Sequence, residues 1–265
     1  MIDRLRGEWQ ALRGAVAGLS PNARRAAVVL LAATVLVLFH LQVGSRSVYR
    51  GLDNPFGFDD PELGAWAWWF GLQGVIGFVV PALILTLGFR WTPQQAGLGL
   101  GDWKLATAIA ALYLPLVIAG TWVLSDGQAF QEQYPHYYGA KSDWGDFLIY
   151  QALFLFYWMG WEYLWRGFAL FGTAPAVGAP LAIVIQTVPF AILHAQKPPA
   201  EAYLSILGGL ALGALVWRCR SFWIAVPIHA AQMLALDVFA TLRFRTGATG
   251  VGLDALAHAL RGLSG

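Results

Sequence analysis

Residues 158–167 read WMGWEYLWRG and place Glu162 and Arg166 inside an otherwise apolar and aromatic stretch. An ionised carboxylate in the hydrocarbon of a membrane costs roughly 3 kcal/mol on insertion scales, so such a residue is expected to carry a function. Two more polar side chains, His194 and His229, stand in later apolar segments. We therefore predict that the three segments meet and that these side chains share one site.

The composition of the 265-residue chain supports a membrane setting for this stretch. Hydrophobic residues make up 58% of the sequence and charged residues only 12%, which is far from the average of soluble domains. The net charge of +2 is too small for a nucleic-acid-binding surface, and the 13 tryptophans fit the interfacial belts of membrane proteins. We predict an all-α, polytopic membrane protein that embeds in a lipid bilayer and binds no nucleic acid.

Apolar segments long enough to span a membrane recur along the chain. We predict about seven transmembrane helices, within a range of six to eight, at residues 26–43, 63–89, 105–124, 147–171, 179–195, 202–217 and 222–242. Residues 2–19 carry apolar side chains at spacings of three and four, which predicts an N-terminal amphipathic helix on the membrane surface. Gly209 and Gly213 are expected to let a second helix approach closely. The connection 125–146 is rich in Asp, Tyr and Gln and is predicted to be solvated.

The distribution of arginines predicts an orientation. Five arginines precede the first predicted span, and the side of a membrane that is richer in basic residues is cytoplasmic. We therefore predict a multi-pass protein of the cell inner membrane or plasma membrane with its N-terminus in the cytoplasm. The arginines that follow residue 242 oppose this assignment, because they fall on the other side.

A buried carboxylate with two imidazoles supports two chemistries. In the first, Glu162 takes a proton from water, His194 orients that water and His229 donates a hydrogen bond to the carbonyl oxyanion. In the second, the two histidines and a glutamate bind a divalent metal such as zinc, which activates the water. The sequence has no H-E-x-x-H helix, and Arg166 would repel a cation at Glu162. We expect no metal or other cofactor, and zinc stays open as the alternative.

At these residues the sequence resembles the CPBP family, which comprises CAAX proteases and bacteriocin-processing enzymes and is also described as ABI-type. The motifs of that family are E-E-x-x-x-R, F-x-x-x-H and H-x-x-x-N or D on successive helices. Here they are represented by Glu162-Tyr163-x-x-Arg166, Phe190-x-x-x-His194 and His229-x-x-x-Met233. In this alignment Tyr163 replaces the second glutamate and Met233 replaces the final amide or acid.

The resemblance covers roughly residues 95–240 and implies an intramembrane endopeptidase that cleaves a membrane-tethered protein or peptide in or near the bilayer. It implies Glu162 as the general base, with His194 and His229 as its catalytic partners. The supporting residues predicted around them are Arg166, Phe190, Glu201 and Asp237. Asp237 lies eight residues past His229 and within about 80° of its helix face, so we predict that it orients His229 in place of Met233.

The resemblance also divides the chain into regions and leaves a competing function open. The predicted regions are an interfacial helix at 1–25, N-terminal transmembrane helices at 26–94, a CPBP-like catalytic core at 95–242 and a C-terminal tail at 243–265. The departures at Tyr163 and Met233 favour the alternative of a catalytically inactive CPBP-like scaffold or a bacteriocin self-immunity protein. A proton-relaying transporter is disfavoured, because no internal repeat of broken helices is evident.

Overall fold

The computed structural model describes residues 1–264, apart from the side chain of Asp3, and this part of the chain forms helices and turns without a β-strand. The helices are α1 (Ile2–Gly18), α2 (Pro21–Val43), α3 (Arg46–Gly51), α4 (Pro61–Leu83), α5 (Trp103–Leu124), α6 (Gln128–Gln133), α7 (Gly139–Ser142), α8 (Trp144–Glu162), α9 (Leu170–Val177), α10 (Ala179–Ile192), α11 (Pro199–Cys219), α12 (Ala225–Thr246) and α13 (Leu253–Leu260). Two π-helical turns, Ile84–Gly88 and Tyr163–Ala169, extend α4 and join α8 to α9, and 3-10 turns occur at Phe222–Ile224 and Arg261–Leu263. The prediction of an all-α fold is confirmed.

Five helical segments among the described residues are long and apolar enough to cross a membrane. They are Pro21–Val43, Pro61–Gly88, Trp103–Leu124, Pro199–Cys219 and Phe222–Thr246. The chain is therefore a multi-pass membrane protein, but the predicted count of seven spans is not confirmed. The other two predicted spans fall on the α8–α9 segment, which carries Glu162 and Arg166, and on α10, which has only 14 residues.

The starts of the spanning helices follow from local sequence. Ser20 and Asp60 accept hydrogen bonds from first-turn amides of α2 and α4, and a proline follows each of them at the first helical position. The helix α1 ends at Gly18, so the region predicted as residues 1–25 is divided between two helices. The predicted N-terminal helix is confirmed as a helix, and its exposed side chains suit a membrane surface.

Two close helix crossings position the segments that carry the candidate site residues. The helices α4 and α8 approach each other at Gly160, where an added Cβ would collide with the backbone of Gln73. The helices α10 and α11 approach at Gly209 and Gly213, where an added Cβ would lie 2.8 Å from Thr187 or Gln186 side-chain atoms. The predicted close approach at the glycine pair is confirmed, and α8 and α10 both contact the π-helical turn Tyr163–Ala169.

Because successive spanning helices run in opposite directions, the connections gather at two ends of the bundle. We call one end the α1 face (residues 89–102, 178 and 220–221) and the other the loop face (residues 44–60, 125–143 and 193–198). At the α1 face the amide of Asp102 donates to the carbonyl of Cys219 over 2.8 Å. At the loop face Lys197 Nζ lies 2.8 Å from His136 Nε2.

The connection after α5, predicted to be solvated, is exposed at some positions, such as Glu132 and Tyr138, and buried at others. Phe130, Tyr134 and Tyr137 are buried in it, and the Tyr137 hydroxyl donates to Asp60 at the start of α4. Several polar groups of this connection, such as the Tyr134 and Tyr137 hydroxyls and Lys141 Nζ, are bonded within the connection or to neighbouring elements. A count of polar residues cannot detect this, because it does not show which groups will be partnered.

The C-terminal region is likewise more ordered than the predicted tail at 243–265. The helix α12 continues to Thr246, and Arg243 within it is buried, with Nη1 donating to Asp126 Oδ1 over 2.9 Å. The helix α13 then packs back on α12. The last residues described therefore close the loop face next to α5 instead of extending from the bundle.

Candidate active site

Glu162 is the last residue of α8, and the π-helical turn Tyr163–Ala169 begins directly after it. Such turns insert one extra residue per turn and occur frequently at functional sites. The turn carries Arg166, whose Nη1 donates to Glu162 Oε1 over 3.2 Å, and both side chains are 0% exposed. The predicted pair therefore exists and is enclosed completely by protein.

His229 meets the same carboxylate from α12. Its Nδ1 lies 2.6 Å from Glu162 Oε1, and because an ionised carboxylate only accepts hydrogen bonds, Nδ1 is the donor. The imidazole also packs on Trp158, with ring centroids 4.1 Å apart. Two donors thus fix Oε1, whereas Oε2 has no partner among the described residues.

His194 is held by the backbone of the preceding turn. Its Nδ1 lies 2.7 Å from the carbonyl oxygen of Phe190, which can only accept, so Nδ1 carries the proton and Nε2 keeps its lone pair in the neutral ring. The Phe190 ring is 4.5 Å from the His194 ring, and the Arg166 guanidinium lies 4.0 Å over the same phenyl ring. Phe190 therefore packs against both motifs, which fits the supporting position predicted for it.

A cavity of about 730 Å³ connects these groups to the loop face. His194, His229, Met233, Trp158 and Trp161 line its inner part. Glu162 does not line the cavity but lies behind His229. The structure therefore brings the three predicted catalytic residues together, with two imidazoles on the cavity wall and the carboxylate one layer deeper.

The mouth of the cavity is built from the charged turn that follows His194. The Tyr134 hydroxyl donates to both carboxylate oxygens of Glu201, over 2.5 and 2.6 Å. Lys197 donates to His136 Nε2 and lies 4.9 Å over the Tyr134 ring. Burial, reinforced by the Lys197 charge, holds the pKa of His136 well below its usual value, so this imidazole is neutral and accepts the hydrogen bond. Glu201 thus supports the entrance of the cavity rather than His194 or His229.

The donors do not form a metal-binding group. Within residues 1–264, no three His, Cys, Asp or Glu side chains are arranged to hold a metal ion. Glu162 Oε1 is already bonded to Arg166 and His229. A guanidinium beside the carboxylate opposes a cation there. The arrangement can perform proton transfer between a buried carboxylate and a group in the cavity.

Comparison with known families identifies part of the chain. Residues 143–235 match the family model of the type II CAAX prenyl endopeptidase Rce1-like, and they contain Glu162, Arg166, His194 and His229. This segment is similar to the Rce1-like family. The predicted resemblance is confirmed, and the match indicates a CAAX-type intramembrane protease. No curated protein and no solved structure matches the chain.

The helices outside the Rce1-like segment also contribute to the cavity, which the sequence analysis missed. His40 from α2 and Gln73 from α4 line it, and they are 3% and 1% exposed. Both ring nitrogens of His40 and the Gln73 side-chain nitrogen lack a partner in the described structure. Each is a polar residue in a predicted apolar span, which is the signal that identified His194, but neither lies in a recognised motif.

Asp237 does not have the position predicted for it. It is fully buried in α12, but its Oδ2 accepts a hydrogen bond from Gln151 of α8 over 2.7 Å. His229 Nδ1 is bonded to Glu162 instead. The prediction that Asp237 orients His229 is therefore wrong, because α8 supplies a carboxylate that approaches the imidazole more closely.

Trp161, and not Tyr163, is the residue that replaces a glutamate of the motif E-E-x-x-x-R. Counted back from Arg166, the motif E-E-x-x-x-R gives its second position to Glu162 and its first to Trp161. The Tyr163 hydroxyl donates to the carbonyl of Ala96 over 3.3 Å and does not line the cavity, whereas Trp161 does. The Rce1-like segment of this chain thus has an indole where the motif has its first carboxylate.

Proposed function

We propose that this protein is a glutamate-dependent intramembrane endopeptidase that hydrolyses a peptide bond of a membrane-tethered protein or peptide, in or near the bilayer. The observation that supports this most is the carboxylate of Glu162, with Oε1 bonded to His229 and Arg166 and Oε2 free. A carboxylate oriented in this way is suited to accept a proton. The Rce1-like match supports the same class of reaction.

In the proposed reaction Glu162 Oε2 takes a proton from water while the water oxygen bonds to the scissile carbonyl carbon. His194 Nε2 accepts a hydrogen bond from the same water, because its Nδ1 proton is committed to the Phe190 carbonyl. His229, which lines the cavity, donates a hydrogen bond to the oxyanion. Glu162 then passes its proton to the leaving amine as the carbon–nitrogen bond breaks, and Arg166 keeps Oε1 in place.

The depth of Glu162 has a consequence for this chemistry. Because the carboxylate lies behind His229, the reacting water must occupy a position between the cavity wall and Oε2. Bulk water is excluded from such a position, so the electrostatic effect of Arg166 and His229 on the carboxylate is stronger than at a surface. We propose that no metal takes part.

The arginines support an orientation with the α1 face in the cytoplasm. Five arginines precede the first span, whereas Arg46 and Arg50 follow it. The cavity opens at the loop face. In the proposed orientation, substrates therefore enter from the side of the membrane opposite the cytoplasm.

The test compares membrane-protein ends in cells that contain wild type or Glu162→Gln. The amide keeps the size of the side chain but cannot accept a proton, so peptide ends generated by the enzyme should disappear, by at least about 100-fold given the usual worth of a general base. Mass spectrometry of enriched termini measures this without a known substrate. Glu132→Gln, an exposed glutamate near the loop face, is the matched control and should leave all ends unchanged.

The same experiment decides between the enzyme and the competing function. An inactive CPBP-like scaffold or a self-immunity protein would give identical peptide ends with wild type and Glu162→Gln. The observation that favours this alternative is Trp161 at the first carboxylate position of the motif, beside a buried Glu162. Ends that vanish after chelation and return with zinc would instead contradict the metal-free mechanism.

A further inference from the structure

A second, smaller cleft lies on the α1 face, at the opposite end of the bundle from the cavity mouth. It has a volume of about 300 Å³ and is lined by Asn22, Arg25, Trp91, Gln95, Phe171, Pro175, Trp217 and Arg220. An adjoining hollow of about 390 Å³ shares Gln95 and Arg220 with it. The described lining of both contains two guanidinium groups and three side-chain amides but no carboxylate, so the cleft is positively charged.

The two arginines of this cleft lie over aromatic rings instead of acidic groups. The Arg220 guanidinium is 4.4 Å from the Trp217 ring centroid and 4.9 Å from that of Phe171. The Arg25 guanidinium is 5.9 Å from the Phe89 ring. In the described structure neither arginine has an ion pair or a side-chain hydrogen bond. Their N–H donors therefore stay available to an anion.

A nearby arginine, unlike Arg25 and Arg220, is paired with an acidic side chain. Arg218 stands two residues before Arg220 and lies 3.6 Å from the Asp102 carboxylate, so its charge is compensated within the protein. Planar guanidinium groups without such a partner match the geometry of phosphate oxygens and bind them through paired N–H donors. Gln95 can add to this, because its side-chain oxygen accepts from the Thr92 amide and leaves the NH₂ group free.

The position of the cleft at the membrane boundary indicates that it binds a lipid phosphate rather than a free phosphate ion. Arg25 directly precedes the apolar run of α2, and Arg220 directly follows Cys219, the last residue of a spanning helix. Both therefore lie at the same membrane boundary, where lipid phosphates are concentrated. Trp217, Phe171 and Trp91 supply apolar walls, which suit a glycerol backbone and acyl chains but give nothing to a free phosphate ion.

We propose that this cleft binds the headgroup phosphate of an anionic membrane lipid. Arg25 and Arg220 donate to the phosphate oxygens, and the acyl chains run along Trp217 and Phe171. Arg25 lies outside the Rce1-like segment and Arg220 inside it. The bound lipid therefore bridges α2 to the C-terminal end of α11 and links the N-terminal helices to the family segment.

Native mass spectrometry of the full-length protein tests this proposal. The protein in detergent is titrated with phosphatidylglycerol or with phosphatidylcholine of the same acyl chains, and the apparent dissociation constant of the first bound lipid is measured. Phosphatidylglycerol should bind more tightly to wild type. Arg25→Gln and Arg220→Gln should each weaken it about fivefold, and the double variant about 25-fold, from the usual worth of one basic residue near a lipid phosphate.

The controls separate this site from general charge and from misfolding. Arg218→Gln removes an equal charge two residues away and should leave the affinity unchanged. Arg25→Lys with Arg220→Lys keeps the charges and should retain most of the binding. Equal affinities for the two lipids, an equal loss in Arg218→Gln, or an unchanged double Gln variant would overturn the proposal. Displacement of the lipid by millimolar inorganic phosphate would show that the cleft takes free phosphate instead.

Discussion

At the scale of single residues, the pairing of Glu162 with Arg166 and His229 decides what the site can do. One carboxylate oxygen receives both hydrogen bonds, so the other is left as the chemically useful atom. Arg166 has no exposure and two of its nitrogens lack a partner in the described chain. The cost of burying the guanidinium is therefore offset by the carboxylate and by the Phe190 ring beneath it.

This cost predicts a test by paired substitutions. Arg166→Met should destabilise the protein by about 3–5 kcal/mol, the usual loss when one partner of a buried ion pair is removed. The double variant Glu162→Gln with Arg166→Met should be more stable than Arg166→Met alone, because it leaves no unpaired buried charge. Thermal unfolding in detergent measures both. Equal stabilities of the single and double variants would show that the pair is not coupled.

Asp237 provides a second prediction at this scale. Because its carboxylate bonds to Gln151 and not to His229, Asp237→Asn should keep the Glu162-dependent peptide ends within about threefold of wild type. Removing a group that orients an active-site histidine usually lowers activity about tenfold or more. Quantifying those ends in both strains checks this. A loss as large as that of Glu162→Gln would restore Asp237 to the catalytic group.

The sequence was sufficient to find Glu162, His194 and His229, since a polar side chain in an apolar helix is costly wherever the helix packs. The sequence was not sufficient to predict which side chains bond to these three residues. Helix geometry places Asp237 near the face of His229 but cannot show that α8 brings a closer carboxylate. His40 and Gln73 are also polar side chains in apolar helices, but they lie outside the motifs that contain Glu162, His194 and His229.

At the scale of elements, the close crossing of α4 and α8 fixes where Glu162 lies. Gly160 stands two residues before the carboxylate and contacts the α4 backbone, so a side chain there must push the helices apart. The π-helical turn after Glu162 could not be foreseen, because apolar periodicity does not distinguish one inserted residue. The partial burial of the connection 125–143 could not be predicted either, because several of its polar side chains find their partners only in the folded bundle.

The crossing predicts the effect of one methyl group. Gly160→Ala should lower stability by about 1–3 kcal/mol, as overpacking usually does, and should also reduce the Glu162-dependent ends by moving α8. Gly208→Ala is the matched control, because an added Cβ there meets nothing within 4 Å. Thermal unfolding and terminal peptide analysis report the two effects. Equal behaviour of both variants would mean that α4 and α8 adjust freely.

At the scale of the whole molecule, the orientation in the membrane can be measured on an almost cysteine-free chain. The single cysteine, Cys219, is buried, and Cys219→Ala gives a background for Leu100→Cys on the α1 face and Tyr138→Cys on the loop face, positions that are 75% and 65% exposed. A membrane-impermeant maleimide on intact cells should label only Tyr138→Cys. Labelling of Leu100→Cys alone would reverse the proposed orientation.

The cavity has one wall from the Rce1-like segment and another from α2 and α4, which carry His40 and Gln73. The residues that shape the cavity and the residues that carry the proposed chemistry therefore lie partly on different helices. Substitutions of cavity-lining residues on α2, such as His40, would change this wall without moving Glu162, whose position depends on the crossing of α4 and α8. Under the proposed function, relatives that differ only in the α2 wall would therefore differ in substrate preference and share one reaction, and exchanging the cavity-lining residues of α2 between them tests this.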